Sequence, residues 1–410
     1  MPEIKNKTVT KAALLGRDYP GTRFDVLVQV GDPVLMGQPV MRDRRRPDIL
    51  FTSPIAGTVT VLSRGRKRSV VSLQVEVGSE PVATVLDVQD SLDADSIRDL
   101  MLRSGIWTTL RQRPFGTIPD PHDRPTAFLI TAIDTQPLAP DPEQVIALQP
   151  EAFSKGAEML AKMVDVPVYI CKSPDTDLPE VKSGQVRIAE FVGPHPAGLP
   201  GVHIHRLCPV GSGSNSPWHI GYQDVISLGH LVNTGRTAPQ KVVSIGGPAL
   251  HETKMLSVSQ GASVEDIINE EVEDEEIRVI SGSLLNGHDA LGDEGFLGQR
   301  HNQITVLPVR NNPVSDWKLR SFFEISPGSH ITPLIPTTDL DRAAPPGVLP
   351  VPMMRALLVG DTERARDLGA LELVEEDVAM LGLVCPSKTD YGALLRDVLS
   401  QLQKEQSAAV

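Results

Sequence analysis

Residues 126–134, TAFLITAID, form a mostly apolar run of the kind that buried parallel strands show. A loop follows, then a helical pattern over about 142–164, and residues 166–172, VPVYICK, repeat the strand signal. Strand, helix and strand in this order predict an open α/β domain with both faces of its sheet covered. Because such sheets bind ligands at the carboxyl ends of their strands, Asp134 to Asp141 and Lys172 to Asp175 should lie near the ligand crevice.

The overall composition is that of a globular protein. The chain has 410 residues, of which 40% are hydrophobic and 22% charged. A net charge of −13 opposes nucleic-acid binding, which needs clustered positive charge. No apolar run is long enough to span a bilayer, and the amino terminus lacks the apolar core of a signal peptide, so we expect a cytoplasmic protein. Three widely separated cysteines argue against a cysteine-only iron–sulfur cluster or a structural zinc site: Cys171, Cys208 and Cys385.

Residues 191–231 hold five of the ten histidines, among them His195. The prolines and glycines of this stretch predict turns and extended backbone, with no regular helix before about Trp218. His203 and His205 alternate in GVHIHRL, so an extended strand would point both to one face. Such a pair suits a metal ion, but the sequence offers no clear further ligands nearby. Hydrogen-bonded or ligand-contacting histidines are therefore the favoured interpretation, and a metal site is the alternative.

The end of this stretch carries a second group of candidate site residues. Trp218, His219, Tyr222, Gln223 and Asp224 lie around the predicted start of an apolar helix, DVISLGHL. A flat aromatic ring beside histidine and glutamine donors suits a quinone or flavin head group, and the alternative is that the aromatic residues are packing anchors. No G-x-G-x-x-G or G-x-S-x-G motif occurs, which opposes direct dinucleotide binding and a serine nucleophile.

The segment from residue 23 to residue 77 has short β-rich runs separated by glycine and proline turns, which predict an all-β module. Its halves, VGDPVLMGQPV and SPIAGTVTVL, resemble those of a biotinyl/lipoyl-type barrel-sandwich domain. In such domains a carrier lysine lies on the turn between the halves, and here that turn is Arg42 to Asp48, without a lysine. We therefore expect a packing module at 1–88 that has lost the carrier role.

The remaining segments complete an α+β, multidomain prediction. Residues 241–310 alternate strand, helix and strand, as in a small β-grasp domain of the SLBB type, with Ser263 as helix N-cap and Asp266 as capping-box acid. Residues 311–352 are proline-rich and predict an irregular linker, and residues 353–410 predict a helical cap. Together with the barrel-sandwich at 1–88, a Rossmann-like α/β domain with the histidine-rich loop is expected at 89–240.

Four long motifs stand out along the chain: FTSPIAGTVTVLSRGRKR, GPHPAGLPGVHIH, WHIGYQDVISLGHLVNTGR and CPSKTDYGALLRDVL. They resemble motifs of the NqrA family, whose members belong to the bacterial Na⁺-translocating NADH:quinone reductases. More distantly, the chain is similar to the RnfC component of the Rnf complex and to the flavoprotein component of complex I. The resemblance implies a peripheral subunit on the cytoplasmic side of the bacterial inner membrane. It would dock on the membrane-embedded quinone-site subunit and take part in ubiquinone binding and reduction.

The same resemblance implies where the cofactors lie. NADH, FAD, FMN and iron–sulfur clusters are expected in partner subunits, none is expected in this chain, and ubiquinone is possible here. The candidate residues at the quinone-facing or partner-facing surface are those already named: His195, His203, His205, Trp218, His219, Tyr222, Gln223 and Asp224. The chain alone would not be catalytic.

Two departures from the family pattern support alternatives. Most of the family's extension ahead of TKAALLG is missing, and NNPVSDWKLRSFFEISPGS replaces the family's segment after VLPV. One alternative is a scaffold or assembly subunit without quinone contact. Another is an adaptor in a related reductase or oxygenase system that does not pump sodium.

Overall fold

A computed structural model describes most of the chain, and statements about structure refer to this part. The described residues are 4–78, 82–89, 91–211, 215–269, 271–272, 277–309, 334–387 and 389–409. We distinguish an amino-terminal unit (4–78), a central unit (91–240), a third unit (241–309) and the carboxyl-terminal helices (338–409). Within these ranges no helix combines the length and the apolar character needed to cross a membrane.

The amino-terminal unit is built from short strands, as predicted. They are β1 (Lys5–Asn6), β2 (Lys11–Leu15), β3 (Phe24–Val26), β4 (Pro33–Val34), β5 (Pro39–Asp43), β6 (Leu50–Thr52), β7 (Gly57–Arg64) and β8 (Val70–Val77). One antiparallel sheet has the order β2-β8-β7-β4 and a second has the order β3-β5-β6. Arg46, in the lysine-free turn between β5 and β6, pairs with the buried Asp43 at 2.8 Å. An ion pair therefore occupies the turn where a carrier lysine would lie.

The central unit contains a five-stranded sheet with helices packed around it. Its strands are β9 (Arg111–Gln112), β10 (Phe128–Ala132), β11 (Val168–Lys172), β12 (Val186–Glu190) and β13 (Trp218–Gly221). The sheet order is β12-β11-β10-β13-β9, with β9 antiparallel to β13 and the other pairs parallel. Its helices are α1 (Ala94–Ser104), α2 (Pro142–Ile146), α3 (Pro150–Met163), α4 (Pro200–Leu207) and α5 (Tyr222–Thr234).

Two glycines bring α3 and α5 into direct backbone contact. A Cβ atom on Gly156 would lie 2.0 Å from the carbonyl oxygen of Val225, and one on Gly229 would lie 1.8 Å from that of Ala152. Only a residue without a side chain permits such an approach. The crossing holds α5, which carries Asp224 in its first turn, directly against α3.

The third unit is built around a six-stranded sheet that reaches back to the amino terminus. Its own strands are β14 (Lys241–Gly246), β15 (Lys254–Val258), β16 (Ile277–Ser281), β17 (His288–Asp289) and β18 (Gln303–Pro308), with α6 (Val264–Ile268) beside them. The sheet order is β1-β15-β14-β18-β16-β17, so β1 joins this sheet. Ser263 caps α6 by accepting from the Asp266 amide at 3.2 Å, as predicted. The Asp266 carboxylate accepts from the Thr10 amide at 2.7 Å and thereby ties the unit to the first one.

The carboxyl-terminal residues are helical and share an apolar core with one side of the central sheet. The helices are α7 (Thr338–Ala343), α8 (Pro350–Val359), α9 (Thr362–Asp367), α10 (Ala379–Val384) and α11 (Tyr391–Ala409). Leu129 of β10 and Ile204 of α4 lie in the same cluster as Leu395 and Leu399 of α11. These helices therefore pack against the central unit.

Five features of local structure were predicted wrongly or missed. Strand β13 (Trp218–Gly221) was missed, because the residues around Trp218 were taken as the end of a loop and the start of a helix. A helix, α4, occupies residues 200–207 of the stretch predicted to be extended, because Pro200 stands at its start, where proline needs no hydrogen-bond donor. Strand β12, a short edge strand of half-buried and exposed residues, was also missed. The helix expected over 142–164 is divided by Pro150 into α2 and α3. Finally, α7 lies within the segment 311–352 that was predicted to be irregular; residues 311–333 of it lie outside the described part.

Candidate functional site

The carboxyl ends of β10 and β13 lie side by side, although β11 and β12 separate these strands in sequence. The direction of the sheet's connections therefore reverses between them, and open α/β sheets bind ligands at such a point. A small cavity of about 120 Å³ lies here, with Asp134 from the loop after β10 and Tyr222 from the start of α5 in its wall. The predicted position of Asp134 is confirmed, whereas residues 172–175 do not line this cavity.

The third unit closes this crevice from outside. Ser283 Oγ donates to Gln136 Oε1 at 2.8 Å, and Ser244 Oγ hydrogen-bonds the carbonyl oxygen of Leu138. The loop after β10 is thus held by the third unit on the side where a ligand would enter. Pockets for drug-sized ligands have volumes of about 300–1,000 Å³. The remaining 120 Å³ is too small for a dinucleotide.

Gln223 joins α5 to the first strand of the third unit. Its Nε2 donates to the Val242 carbonyl oxygen at 2.8 Å, and its Oε1 accepts from the Val242 amide at 2.9 Å. The side-chain amide therefore satisfies both backbone groups of one residue, as a neighbouring strand would. A further bond runs from Nε2 to Asn302 Oδ1 at 3.3 Å. In this structure Gln223 is a link between units.

A larger cavity of about 450 Å³ lies where the amino-terminal, central and third units meet. We call it the junction cavity. Each of the three units contributes apolar residues to its wall, including Leu14, Phe51, Val145, Ile226 and Leu297. Four residues line both this cavity and the small one, namely Thr109, Gln223, Asp224 and Lys241. The two spaces therefore adjoin at the start of α5.

Charged groups of the first and third units, Asp18 and Lys241, line the junction cavity, and Arg111 of the central unit contacts the backbone of Asp18. The Asp18 carboxylate accepts from the Gln299 amide at 2.9 Å, and Lys241 Nζ donates to the Gln299 carbonyl oxygen at 2.7 Å. Arg111, which is buried, donates to three backbone carbonyl oxygens, one of them that of Asp18 at 2.7 Å. Gln299 and Arg111 thus position the charged groups of the first and third units.

Asp224 differs from these groups because its half-buried carboxylate makes no hydrogen bond with a described residue. Burial raises the pKa of this carboxyl, and the positive charges of Lys241, Arg111 and Arg300 oppose part of the rise. Burial also lowers the pKa of Lys241 to about 8, opposed by the charges of Asp224 and Asp18. An unpartnered carboxyl and a buried ammonium group therefore share one wall.

The histidines at 203 and 205 lie on a helix and do not share a face. His203 is buried, and its Nε2 lies 2.9 Å from the Ala197 carbonyl oxygen, whereas His205 Nδ1 lies 2.8 Å from Glu372 Oε2. Residues two apart on a helix point in different directions. The geometry on which the metal alternative depended is therefore wrong. Burial lowers the pKa of His203 to about 4.

His195 lies in the loop ahead of α4 and is half-buried. Its Nδ1 is 3.3 Å from Thr135 Oγ1, and the same hydroxyl accepts from the Gly198 amide at 2.9 Å. Burial lowers the pKa of this histidine. The contact joins the histidine-rich loop to the loop after β10, and His195 does not line either cavity.

The aromatic residues of the candidate set are buried, which supports their interpretation as packing anchors. Trp218 is fully buried, and its ring meets that of Trp107 edge-on at a centroid distance of 5.7 Å. Tyr222 is also buried. His219 Nε2 accepts from Arg113 Nη1 at 3.0 Å, and burial together with the Arg113 charge holds the His219 pKa well below its usual value. His219 is therefore neutral.

Of the eight predicted site residues, only Gln223 and Asp224 line the junction cavity. Contact of any of the eight with a quinone or a partner stays a prediction. Sequence reasoning missed Asp18, Arg111, Lys241 and Gln299. The one available signal was Lys241, a charged residue at the head of the otherwise apolar strand KVVSIG. The other three carry no motif.

The fold and the junction cavity define a multidomain α/β protein in which a barrel-sandwich unit and a third sheet unit enclose a parallel sheet. Three family models match it: the NqrA N-terminal barrel-sandwich hybrid domain over residues 3–78, the NqrA second alpha/beta domain over 92–237, and the NQRA C-terminal domain of SLBB type over 242–292. The chain belongs to the NqrA family of the Na(+)-translocating NADH-quinone reductases.

Curated relatives support this assignment over almost the whole chain. The NqrA protein of the Na(+)-translocating NADH-quinone reductase from Pseudomonas aeruginosa (strain UCBPP-PA14) is 38% identical, over 97% of this chain and 95% of the relative. The corresponding proteins of Vibrio campbellii and Rhodopirellula baltica are 39% and 36% identical, each over 97% of this chain and over 95% and 93% of the relatives. The resemblance read from the sequence motifs is confirmed, as are the barrel-sandwich and SLBB-like domains.

Among solved structures, a chain of the NAD+-reducing [NiFe]-hydrogenase in the H2-reduced state superposes with a TM-score of 0.41 and 14% identity. The match covers 76% of this chain and 61% of that chain. At this level the likeness adds nothing to the assignment.

Proposed function

We propose that this chain is a component of a Na⁺-translocating NADH-quinone reductase complex and that it binds a quinone in the junction cavity. The cavity is the observation that supports this function. Its volume of about 450 Å³ lies within the range for small-molecule sites, of about 300–1,000 Å³. The relatives are named as subunits of NADH-quinone reductases, so a quinone is the ligand to test first.

The walls of the cavity suit the two parts of a quinone. A head group with two carbonyl oxygens needs hydrogen-bond donors, and Lys241 Nζ has two N–H groups beyond the one given to Gln299. An apolar tail needs an apolar path to the surface, and Leu148 both lines the cavity and is 48% exposed. Phe51 and Tyr19 offer aromatic surface for the ring.

In the proposed assembly the chain lies peripherally on the cytoplasmic side of the bacterial inner membrane. It docks on the membrane-embedded subunit that reacts with quinone. NADH, FAD, FMN and iron–sulfur clusters belong to the other subunits, and sodium passes through the membrane-embedded ones. This chain contributes a quinone contact and is not catalytic alone. The chain is 38% identical, over 97% of its length, to a subunit of such a reductase, and this similarity supports this part of the proposal.

Direct binding of a short-chain ubiquinone to the full chain tests the proposal. Ala238 lines the junction cavity in the connection between the central and third units, so Ala238→Trp should fill part of the cavity. Isothermal titration calorimetry should show saturable binding to the wild type and at least about tenfold weaker binding to Ala238→Trp. A tenfold change corresponds to a loss of about 1.4 kcal/mol of binding free energy.

Leu291→Trp is the matched control, because Leu291 is 72% exposed and lies outside the cavity. Its affinity should equal that of the wild type. If the wild type binds no quinone, or if Ala238→Trp binds as well as the wild type, the junction cavity is not a quinone site. The scaffold alternative would then describe the chain better.

A further inference from the structure

The junction cavity contains one carboxyl group whose hydrogen-bonding capacity is unused within the described part of the chain. Asp224 lies in the first turn of α5, at the boundary with the small cavity. Gly221 precedes the helix, and even a Cβ there would make only an ordinary van der Waals contact with Asp224 Oδ2, at 3.5 Å. The group is therefore free to bind a ligand.

The neighbouring charged groups are already committed to protein atoms. Arg111 donates to backbone carbonyl oxygens, and the Asp18 carboxylate accepts from the Gln299 amide. The Tyr19 hydroxyl bonds the Gln299 side chain. The Lys241 ammonium group donates one N–H to the Gln299 carbonyl oxygen and has two further N–H groups. A head group in the cavity would thus meet Lys241, which keeps an N–H for a ligand even when its ammonium group loses a proton near pH 8, and one carboxyl without a partner, Asp224.

The two redox forms of a quinone differ in the hydrogen bonds they make. The oxidised form carries carbonyl oxygens, which only accept. The reduced form carries hydroxyl groups, which donate as well. A carboxyl group donates when protonated and only accepts when ionised. Asp224 can therefore match either form of the ligand, depending on its own proton.

We propose that Asp224 determines which redox form of the quinone the junction cavity prefers, with Lys241 holding one oxygen in both cases, an inference that rests on the proposed quinone site. Protonated Asp224 donates to a carbonyl oxygen of the quinone. Ionised Asp224 accepts from a hydroxyl group of the quinol. The preference of the cavity therefore changes with pH.

The direction of the change follows from the surroundings of Asp224. Lys241 from β14, Arg111 from β9 and Arg300 from the loop before β18 face it with positive charge and favour the ionised form, while burial has the larger, opposite effect and raises its pKa. Asp18, whose pKa is also raised by burial, and Tyr19 face the same cavity from the amino-terminal unit, and His230 from α5. On the side of the small cavity Asp224 is faced by Asp134, whose pKa burial raises to about 6, and by Tyr222, His219, His301 and Glu376. As the pH rises through the pKa of Asp224, quinone binding should weaken and quinol binding should strengthen.

The experiment measures the dissociation constants of a short-chain ubiquinone and of its quinol, under anaerobic conditions, from about pH 5 to about pH 8. The ratio of the quinone constant to the quinol constant should rise with pH, approaching tenfold per pH unit while Asp224 titrates, because one proton is linked to binding. In Asp224→Asn the ratio should be constant, since an amide donates and accepts at every pH.

Asp99→Asn is the control, because it removes an exposed carboxylate of α1 that lies outside the cavity. It should reproduce the wild-type ratio at each pH. A ratio that does not change with pH in the wild type, or the same change in Asp224→Asn, would overturn the role of Asp224 while leaving the quinone site intact. Failure of both ligands to bind the wild type would instead refute the proposed function. If Asp224→Asn folds poorly, the pH dependence of the ratio in the wild type still tests the proposal.

Discussion

His203 is a single buried side chain that makes the stability of this fold depend on pH. Its ring is buried, packs against Phe191 at a centroid distance of 4.2 Å and hydrogen-bonds the Ala197 carbonyl oxygen. Burial lowers its pKa to about 4, whereas histidine in an unfolded chain has a pKa of about 6.5. His203 is thus a neutral, hydrogen-bonded anchor for the loop ahead of α4, in line with the favoured interpretation of the sequence and against the metal alternative.

We expect the folded chain to lose stability as the pH falls from about 6.5 to about 4. In this range His203 is protonated in the unfolded chain and stays neutral in the folded chain. The effect of this residue alone is on the order of 2–3 kcal/mol over that range. His203→Gln keeps a donor for Ala197 but does not titrate, so its urea midpoint should fall less between pH 7 and pH 5. Equal falls in the variant and the wild type would contradict the assignment.

At the scale of elements, the crossing of α3 and α5 determines the position of the site. Both helices carry a glycine at the crossing, and α5 carries Gln223 and Asp224 in its first turn. Any change that separates the helices should therefore move the wall of the junction cavity. The sequence showed the two helices by their apolar periodicity, but nothing in it indicated that Gly156 and Gly229 meet the opposite backbone.

Gly229→Ala should destabilise the protein by about 1–3 kcal/mol, because the new methyl group would lie 1.8 Å from the Ala152 carbonyl oxygen. This steric cost outweighs the gain in stability of about 1 kcal/mol that alanine brings to a helix interior through its higher helix propensity. The unfolding midpoint checks the prediction. Gly184→Ala is the control, since nothing lies within 4 Å of its Cβ position. A variant at Gly229 as stable as the wild type would show that the crossing is looser than described.

At the scale of the whole molecule, the units are joined by polar contacts between residues far apart in sequence. Gln223 binds Val242, Asp266 binds Thr10, and Gln299 contacts both Asp18 and Lys241. These contacts enclose the junction cavity and close the crevice of the central sheet. A ligand in the junction cavity would touch three units at once, so its binding should stabilise their arrangement.

Gln223→Leu should loosen the connection between the central and third units. The variant leaves the amide and carbonyl groups of Val242 without their partner, at a cost of about 1–3 kcal/mol for each buried group left unsatisfied. Hydrogen exchange of the peptide around residues 238–246 should become faster, as read by mass spectrometry. Gln401→Leu serves for comparison, because exposed Gln401 bonds only Glu405 on the same helix. Unchanged exchange in Gln223→Leu would mean that other contacts hold the units.

Local patterns predicted part of the secondary structure that carries the site, although they missed β13 and the division between α2 and α3. The apolar runs of β10 and β11, the lysine-free turn after β5 and the Ser263 cap depend on neighbouring residues, and each was found where the sequence indicated. The carboxyl end of β10 as the edge of a crevice followed from the same patterns. The long motifs also sufficed to identify the family.

Only the tertiary structure decided which residues form the site. Asp18 and Lys241 lie more than two hundred positions apart, and their meeting at Gln299 depends on how three units pack. The helix at 200–207 and the burial of Trp218 likewise depend on neighbours distant in sequence, the carboxyl-terminal helices and Trp107. The physical reason is that contacts between residues far apart in sequence set the energy of these side chains, whereas the periods and spacings of a sequence report only local structure and the face that is buried.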